Sequence, residues 1–449
     1  MGEDGLDGRL VWAVRARDAE AVRDLLSRGA DPDAVDANGL PVLCVAVTAY
    51  DEPVAEALVE GGADPDRVLP DGTTPLGRAI DGGSPALFSA VLGKEPRLRL
   101  AEAARERLLA TARSWYETGA AEELRRRTGA SGPAATVRVQ DCEYNWVDQV
   151  TLGGLVVRAG HGAILTALEW AFRVLTPVDE LIARAVEQPD EEHVAWSTVR
   201  WILANRRSFE TWSAVVAHRH HPDRPHRWFV ADYLRMRGFL NTSPYYEKKE
   251  SELLAAWAAE ETDSAMLAKV LDIFIGYDHP DQEAIGLRHA DHPDPRVRRE
   301  VPYALCADYL PRTPAARAAL LTLIRDPDAE VRLTACTVSL RDDDLLPENT
   351  RALLLLAEAP DADVRVTATA ALADSPDRTP AVADALAASL GDENQLVRLM
   401  AAYGLALRDD PRTADAIERV GPLGDGFEHD HRVNELWRWK WRKGSPADG

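Results

Sequence analysis

Between His193 and Arg237 the sequence places eight arginines, at 200, 206, 207, 219, 224, 227, 235 and 237, against only Glu210, Asp223 and Asp232, a local excess of five positive charges. Trp196, Trp201, Trp212 and Trp228 are interleaved with them. A guanidinium is a planar fork of donors that holds anions and stacks on flat rings, and an indole offers a broad face for the same purpose. Such a mixture could line a groove for an anionic or planar ligand, or supply the aromatic and arginine anchors of a protein interface. A plainer account stays open, in which Trp201 and Trp212 fill core and the arginines pair with acidic neighbours. The candidate groove residues are Trp196, Arg200, Trp201, Arg227, Trp228 and Arg235.

The same stretch carries His218, His220, His221 and His226. Neutral imidazole is the commonest side-chain metal ligand. Adjacent residues such as His220 and His221 diverge on either helix or strand, and Pro222 and Pro225 lead into a following helix. The expectation is therefore a solvated inter-helix loop and no metal site. His161, between Gly160 and Gly162, is a second candidate, since backbone without Cβ lets a ligand come close. The triplet also suits a turn. There is no glycine-rich phosphate loop, nucleophile elbow or Cys–His pair at a motif spacing, so no catalytic residue and no cofactor is expected.

The whole chain is acidic: 449 residues with 74 Asp and Glu against 52 Lys and Arg give a formal net charge of −22. That argues against generic nucleic-acid coating. Hydrophobic residues at 46% and charged residues at 28% fit a soluble protein with a sizeable core. The four cysteines, at 44, 142, 306 and 336, lie far apart with no Cys-x-x-Cys pair, which fits a reducing cytoplasm better than a disulfide framework or a zinc knuckle. The acidic start Met1-Gly2-Glu3-Asp4-Gly5 lacks the basic and apolar segments of a secretory signal, and no apolar run approaches the roughly 20 residues that span a bilayer. Arginine far outnumbers the six lysines and alanine is abundant, a composition in keeping with high-GC bacterial coding.

Two internal periods organise the chain. Gly29-Ala30-Asp31-Pro32-Asp33 recurs as Gly62-Ala63-Asp64-Pro65-Asp66, a step of 33 that Leu10, Leu43 and Leu76 also keep. Asn38-Gly39 and Asp71-Gly72 share the step, and both pairs supply the positive φ of a tight turn ahead of an apolar helix. Further on, Asp294-Pro-Arg-Val-Arg298, Asp328-Ala-Glu-Val-Arg332, Asp361-Ala-Asp-Val-Arg365 and Asn394-Gln-Leu-Val-Arg398 follow one another, their arginines 34, 33 and 33 apart. Asp or Asn suits an N-cap, Pro295 the first helical position, and the Asp-to-Arg spacing of four places both on one helix face. Pro222-Asp223 with Arg227, and Pro189-Asp190, fit the same frame, with a degenerate unit near Asp263 filling the gap.

The first period resembles the ankyrin repeat, a β-turn followed by two helices, and Thr74-Pro75-Leu76 matches that family's opening. Gly77 stands where the family has His, and the preceding unit reads Pro41-Val42-Leu43-Cys44, so part of the capping is lost. Asn38, Asp71 and Thr74 are the turn residues that the resemblance singles out. Three units are few, so the array is expected to lean on the segment C-terminal to it. The second period resembles HEAT repeats of the short helical-hairpin kind. The fold implied is mainly α: an ankyrin-type solenoid (1–93), a helical and β-hairpin joint (94–176) with one helix over 101–127, a HEAT-like α-solenoid (177–420) and a C-terminal cap (421–449). In the tail, Val433, Leu436, Trp437 and Trp441 form one helical stripe that could seal the last repeat, leaving Arg438 and Lys440 wet. Contact with a membrane surface is the competing use of this aromatic and basic run.

Both families act mostly as protein-binding scaffolds, so the resemblance implies a non-enzymatic cytoplasmic scaffold that binds a protein or peptide along the concave HEAT surface, with neither nucleic acid nor membrane as its main partner. The rival class is a HEAT-repeat enzyme or ligand-binding protein, lyase-like or DNA-glycosylase-like, in which Arg227, Trp228 and Asp232 imitate a basic groove with a catalytic Asp. No His-Glu dipeptide of the di-iron hydroxylases occurs.

Overall fold

The computed structural model describes residues 5–240, 243–306, 312–424, 426–427 and 429–444; the first four residues of the acidic start lie outside them. The chain forms two compact units, Met1–Leu240 and Asn241–Gly449. The boundary expected at 176/177 thus falls inside the first unit.

That unit opens with three helical hairpins: α1 (Leu6–Ala16) with α2 (Ala19–Ser27), α3 (Val42–Thr48) with α4 (Glu52–Glu60), and α5 (Pro75–Gly82) with α6 (Pro85–Leu92). The second helix of each has a side-chain cap, from Asp18, Asp51 and Ser84, on a first-turn N–H. Thr74 Oγ1 caps α5 by accepting from Gly77 N at 3.0 Å, whereas Pro41 gives α3 no such bond. Gly39 and Gly72 take φ of 76° and 80° in the turns. Asp71 Oδ1 accepts from Thr73 N at 2.9 Å in one turn, but in the other the acceptor is Asp36, at 2.8 Å from Asn38 N and 3.0 Å from Leu40 N. The hairpin core runs from Leu10 to Val91 and on into Ala112, Ile164, Leu165, Leu168 and Phe172, so the short array is completed by the helices C-terminal to it.

After α7 (Pro96–Arg99) the expected single helix is two, α8 (Glu102–Thr118) and α9 (Ala120–Thr128). The break is Gly119, whose φ of 81° and ψ of 144° no helix accommodates. Three antiparallel strands come next, β1 (Ala135–Cys142), β2 (Asn145–Leu152) and β3 (Leu155–Arg158), in the order β1-β2-β3. Then come α10 (His161–Ala171), α11 (Val178–Val186), α12 (Val194–Asn205), α13 (Phe209–Ala217), one 3-10 turn (His218–His220) and α14 (Arg224–Phe239). Helices α8, α10, α12 and α14 pack in succession as one row, and α11 and α13 belong to the other.

The second unit comprises α15 (Pro244–Glu260), α16 (Ser264–Phe274), α17 (Gln282–His289), α18 (Pro295–Leu305), α19 (Pro314–Leu323), α20 (Ala329–Val338), α21 (Leu346–Leu356), α22 (Ala362–Asp374), α23 (Pro380–Ser389), α24 (Gln395–Leu407), α25 (Thr413–Val420) and α26 (His431–Gly444). Helices α16, α18, α20, α22, α24 and α26 form its close-packed row. Asp263 N-caps α16 but no arginine stands at the repeat position after it, which makes this unit the degenerate one.

The repeat arginines do not pair with the Asp four residues before them. Each bends back over its own loop: Nη1 of Arg298, Arg332, Arg365 and Arg398 donates to the carbonyls five and six residues earlier, at 2.7 to 3.0 Å. The Asp or Asn is spent on capping its helix, with Asp294, Asp328, Asp361 and Asn394 all accepting a first-turn N–H. A single guanidinium fork thus ties down two loop carbonyls that no helix can satisfy.

The tail helix α26 seals the array with half of the expected stripe, Val433 and Leu436, while Trp439 takes the place of Trp437 and Trp441. Trp439 is 7% exposed and Leu436 is buried with it, whereas Trp437 and Trp441 are each 70% exposed. Trp439 Nε1 donates to Asp409 Oδ1 at 3.0 Å and Lys443 Nζ to Asp409 Oδ2 at 2.8 Å. The buried indole thus has a partner for its N–H, beside the apolar packing of Leu436 and Val433. Among the described residues no helix is long and apolar enough to cross a membrane.

Candidate functional site

The arginine and tryptophan cluster separates into parts with different work. Trp196, expected as a groove anchor, is core: it is 1% exposed, meets Phe229 edge-on at 5.1 Å, and its Nε1 donates to Asp232 Oδ2 at 2.7 Å. Arg200 Nη1 donates to the same oxygen at 2.6 Å. Asp232 is buried with Trp196 and Arg200 is half-buried, so α12 and α14 are locked by one carboxylate, and the glycosylase-like use of Asp232 as a groove acid has no exposed group to rest on. Trp212 is also buried.

Arg227 repeats the loop clasp of the later units, Nη1 donating to the carbonyls of His221 and Pro222 at 3.1 and 3.0 Å. Trp228 is half-buried, its Nε1 donates to Glu191, and the Arg224 guanidinium lies 5.1 Å from its ring centroid. Arg235 is half-buried. Trp201 differs from all of these: it is 51% exposed on α12, and so is not the core residue that the plainer account made it.

His161 is 2% exposed and stacks on Trp115, the ring centroids 4.4 Å apart and 3° from parallel. Burial pushes its pKa down to about 4, so the imidazole is neutral at pH 7. It forms part of the wall of a cavity of about 170 Å³, together with Tyr116, Asp148, Arg184, Glu187 and His193. The glycines beside it serve a close approach, but to the protein's own chain. Gly160 N donates to Gly83 O at 3.0 Å; a Cβ on Gly83 would lie 1.8 Å from Arg158 O, and one on Gly160 2.5 Å from Pro85 Cδ. The seam joins the α5–α6 turn to the start of α10.

Two further features stand out, one that the sequence did not mark and one that it marked and set aside. A groove of about 530 Å³ runs along the ankyrin hairpins, lined by Glu56, Val59, Asp64, Ala90, Lys94 and Arg99 among others. The second is a histidine cluster. His220 is exposed, as the adjacency argument has it, but His221, Asp223 and His226 converge, one potential ligand atom from each lying within 4.8 Å of the others. Setting 222–227 beneath 293–298 would have revealed it, because His226 falls where each later unit has a valine.

These hairpins define a repeat protein built from two kinds of helical unit. Residues 10–99 match the family model of ankyrin repeats in three copies, and residues 350–421 match that of HEAT repeats; the chain carries ankyrin repeats at its N-terminal end and HEAT repeats at its C-terminal end. No curated protein matches the chain. Among solved structures, the X-ray structure of YibA from Escherichia coli is similar at 15% identity and a TM-score of 0.43, covering 59% of this chain and 93% of that one. Repeats of these two kinds generally mediate protein–protein interaction.

Proposed function

We propose that this protein is a cytoplasmic interaction scaffold that holds a protein or peptide partner against the α8–α10–α12–α14 helix row, with Trp201 as its anchor and Arg200, Trp228 and Arg235 as further contact residues. The observation that carries this reading is the exposure of Trp201, 51% on a helix whose other tryptophan, Trp196, is core. A large indole held on a rigid helix loses little entropy on binding, which is why tryptophan is a favoured anchor. Trp196 and Arg227 support the surface from beneath, as core and as loop clasp. The four cysteines are all thiols, in keeping with a reducing compartment.

The test is a photoreactive amino acid placed at position 201, and at the exposed Ser213 of α13 as a control, with the full-length protein exposed to extract of its source cells. A polypeptide adduct from 201 alone, competed by excess wild-type protein but not by W201A, is the expected result. No adduct at 201, or equal adducts from both positions, overturns the reading.

A further inference from the structure

The strongest unassigned feature lies between α13 and α14, where the repeat pattern is broken at two places that face one another, Asp223 and His226. The valine before the clasp arginine is fully or nearly fully buried in the later units, as Val297, Val331, Val364 and Val397. Its counterpart here is His226, a polar ring in a position that elsewhere serves packing. The loop residue that is Asp326 and Asp392 in two later units is His221 here and His292 in the unit of Arg298, and each histidine accepts the amide two residues on at 3.1 Å, so His221 keeps a role the repeat already has. Asp223 stands at the N-cap position, yet unlike Asp294, Asp328, Asp361 and Asn394 it makes no side-chain capping bond. A repeat that gives up an apolar contact and a helix cap at one spot retains its residues there for another reason.

The three side chains are placed together. The His221 and His226 rings stack with centroids 3.7 Å apart, and Asp223 Oδ2 lies 3.9 Å from His221 Nδ1. His226 Nδ1 is buried and accepts no hydrogen bond. His221 Nδ1 accepts only the Asp223 amide, at 3.1 Å. A third ring, His218, stands 6.0 and 5.7 Å from the other two. Its Nε2 is 3.0 Å from Asp179 Oδ1, while its Nδ1 is buried and unpartnered. A carboxylate on one ring nitrogen fixes the tautomer and leaves the other nitrogen's lone pair for a metal. The clasp from Arg227 holds the His221 carbonyl, so the loop is anchored beside the cluster.

We propose that His221, Asp223 and His226 form a binding site for a divalent transition-metal ion of the Zn²⁺ type, with His218 or a water completing the coordination. Imidazole and carboxylate without thiolate is the donor set of Zn²⁺, Ni²⁺ and Co²⁺ rather than of Ca²⁺ or an iron–sulfur cluster. Ligand atoms around a tetrahedral ion with bonds of about 2.1 Å are roughly 3.4 Å apart. The observed separations, up to 4.8 Å, close to this by rotation of exposed Asp223 and of the stacked rings, the metal replacing the Asp223 amide at His221 Nδ1.

Calorimetric titration of the full-length protein with ZnCl₂ in a non-chelating buffer tests this. One ion per chain is expected, with a dissociation constant on the order of micromolar or tighter. His226→Val, which restores the repeat's own residue, and His226→Gln should each weaken binding by at least about tenfold. His220→Ala should leave it unchanged. Circular dichroism of each variant without metal checks the fold, and the glutamine variant decides if the valine variant does not fold. Zinc-edge X-ray absorption of the loaded protein should show a shell of nitrogen and oxygen only. Absence of a saturable site in the wild type, wild-type binding by the folded His226 variants, or equal loss in His220→Ala overturns the proposal.

Discussion

Arg298 reaches out of its own repeat to Asp326 in the loop of the next, Nε and Nη2 donating to the two carboxylate oxygens at 2.7 and 2.8 Å. Burial pushes the Asp326 carboxyl up, but this bidentate pairing prevails and holds it below the ordinary carboxylate range. Arg365 and Asp392 repeat the arrangement one repeat after Arg332, where the loop offers only Ala359.

Removing one partner of so enclosed a pair strands the other. Asp326→Ala should lower the stability of the second unit by about 3 kcal/mol. Ala359→Asp, which gives Arg332 the missing acceptor, should raise it by about 0.5 kcal/mol, because that position is half exposed. Urea unfolding of the two variants beside the wild type measures both; a neutral Asp326→Ala would mean the pair contributes nothing net.

The tail gives a second contrast. Trp439→Ala removes a buried indole and its bond to Asp409, and should cost about 3 kcal/mol. Trp437→Ala and Trp441→Ala, on the wet face, should change stability by no more than about 0.5 kcal/mol. Denaturant titration followed by far-UV circular dichroism separates them. Equal effects from all three would show that the helix is rotated from this orientation.

Acid should act on the first unit through His161. Its pKa is about 4 in the folded chain against about 6.5 in the unfolded one, so between these values the unfolded state binds the extra proton. Stability is complete above pH 6.5 and falls as pH drops toward 4, by at most about 3 kcal/mol from this residue. His161→Gln should flatten that slope while lowering stability at pH 7. The comparison of thermal melts at pH 4.5 and 7.5 reads the difference, and parallel slopes would remove His161 as the cause.

The repeat periods were legible because solenoid packing demands the same residue type at the same step, and Leu10, Leu43 and Leu76 or the four Val-Arg pairs satisfy that demand openly. Direction was legible only in part. Trp196 and Trp201 sit five residues apart on one helix, and Asp232 across the interface accepts from the indole that turns inward. The helical period pointed the same way, since Trp196 shares a face with Val199, Ile202 and Leu203, whereas three and four residues from Trp201 stand Ser197, Thr198, Ala204 and Asn205. In the tail Val433 and Leu436 face inward as expected, and of the three indoles it is Trp439 that is buried, bonded to Asp409 30 residues away. The Asp-to-Arg spacing of four put both on one helix face but did not say what the arginine holds, because side chains as long as arginine reach past their own helix to the preceding loop and the next repeat. Two elements were legible in principle and passed over: Gly119 as a helix break, and His226 in a valine's place.

The seam at Gly83 and Gly160 limits how the ankyrin array can change in length. Duplication of a 33-residue unit is the ordinary way such arrays grow, and it works wherever one hairpin docks on a copy of itself. The α5–α6 turn docks on α10 instead, through backbone so close that neither glycine has room for a methyl group. A unit added there would separate the pair and lose the contact. A unit inserted ahead of α5, where hairpin meets hairpin, would leave the seam intact.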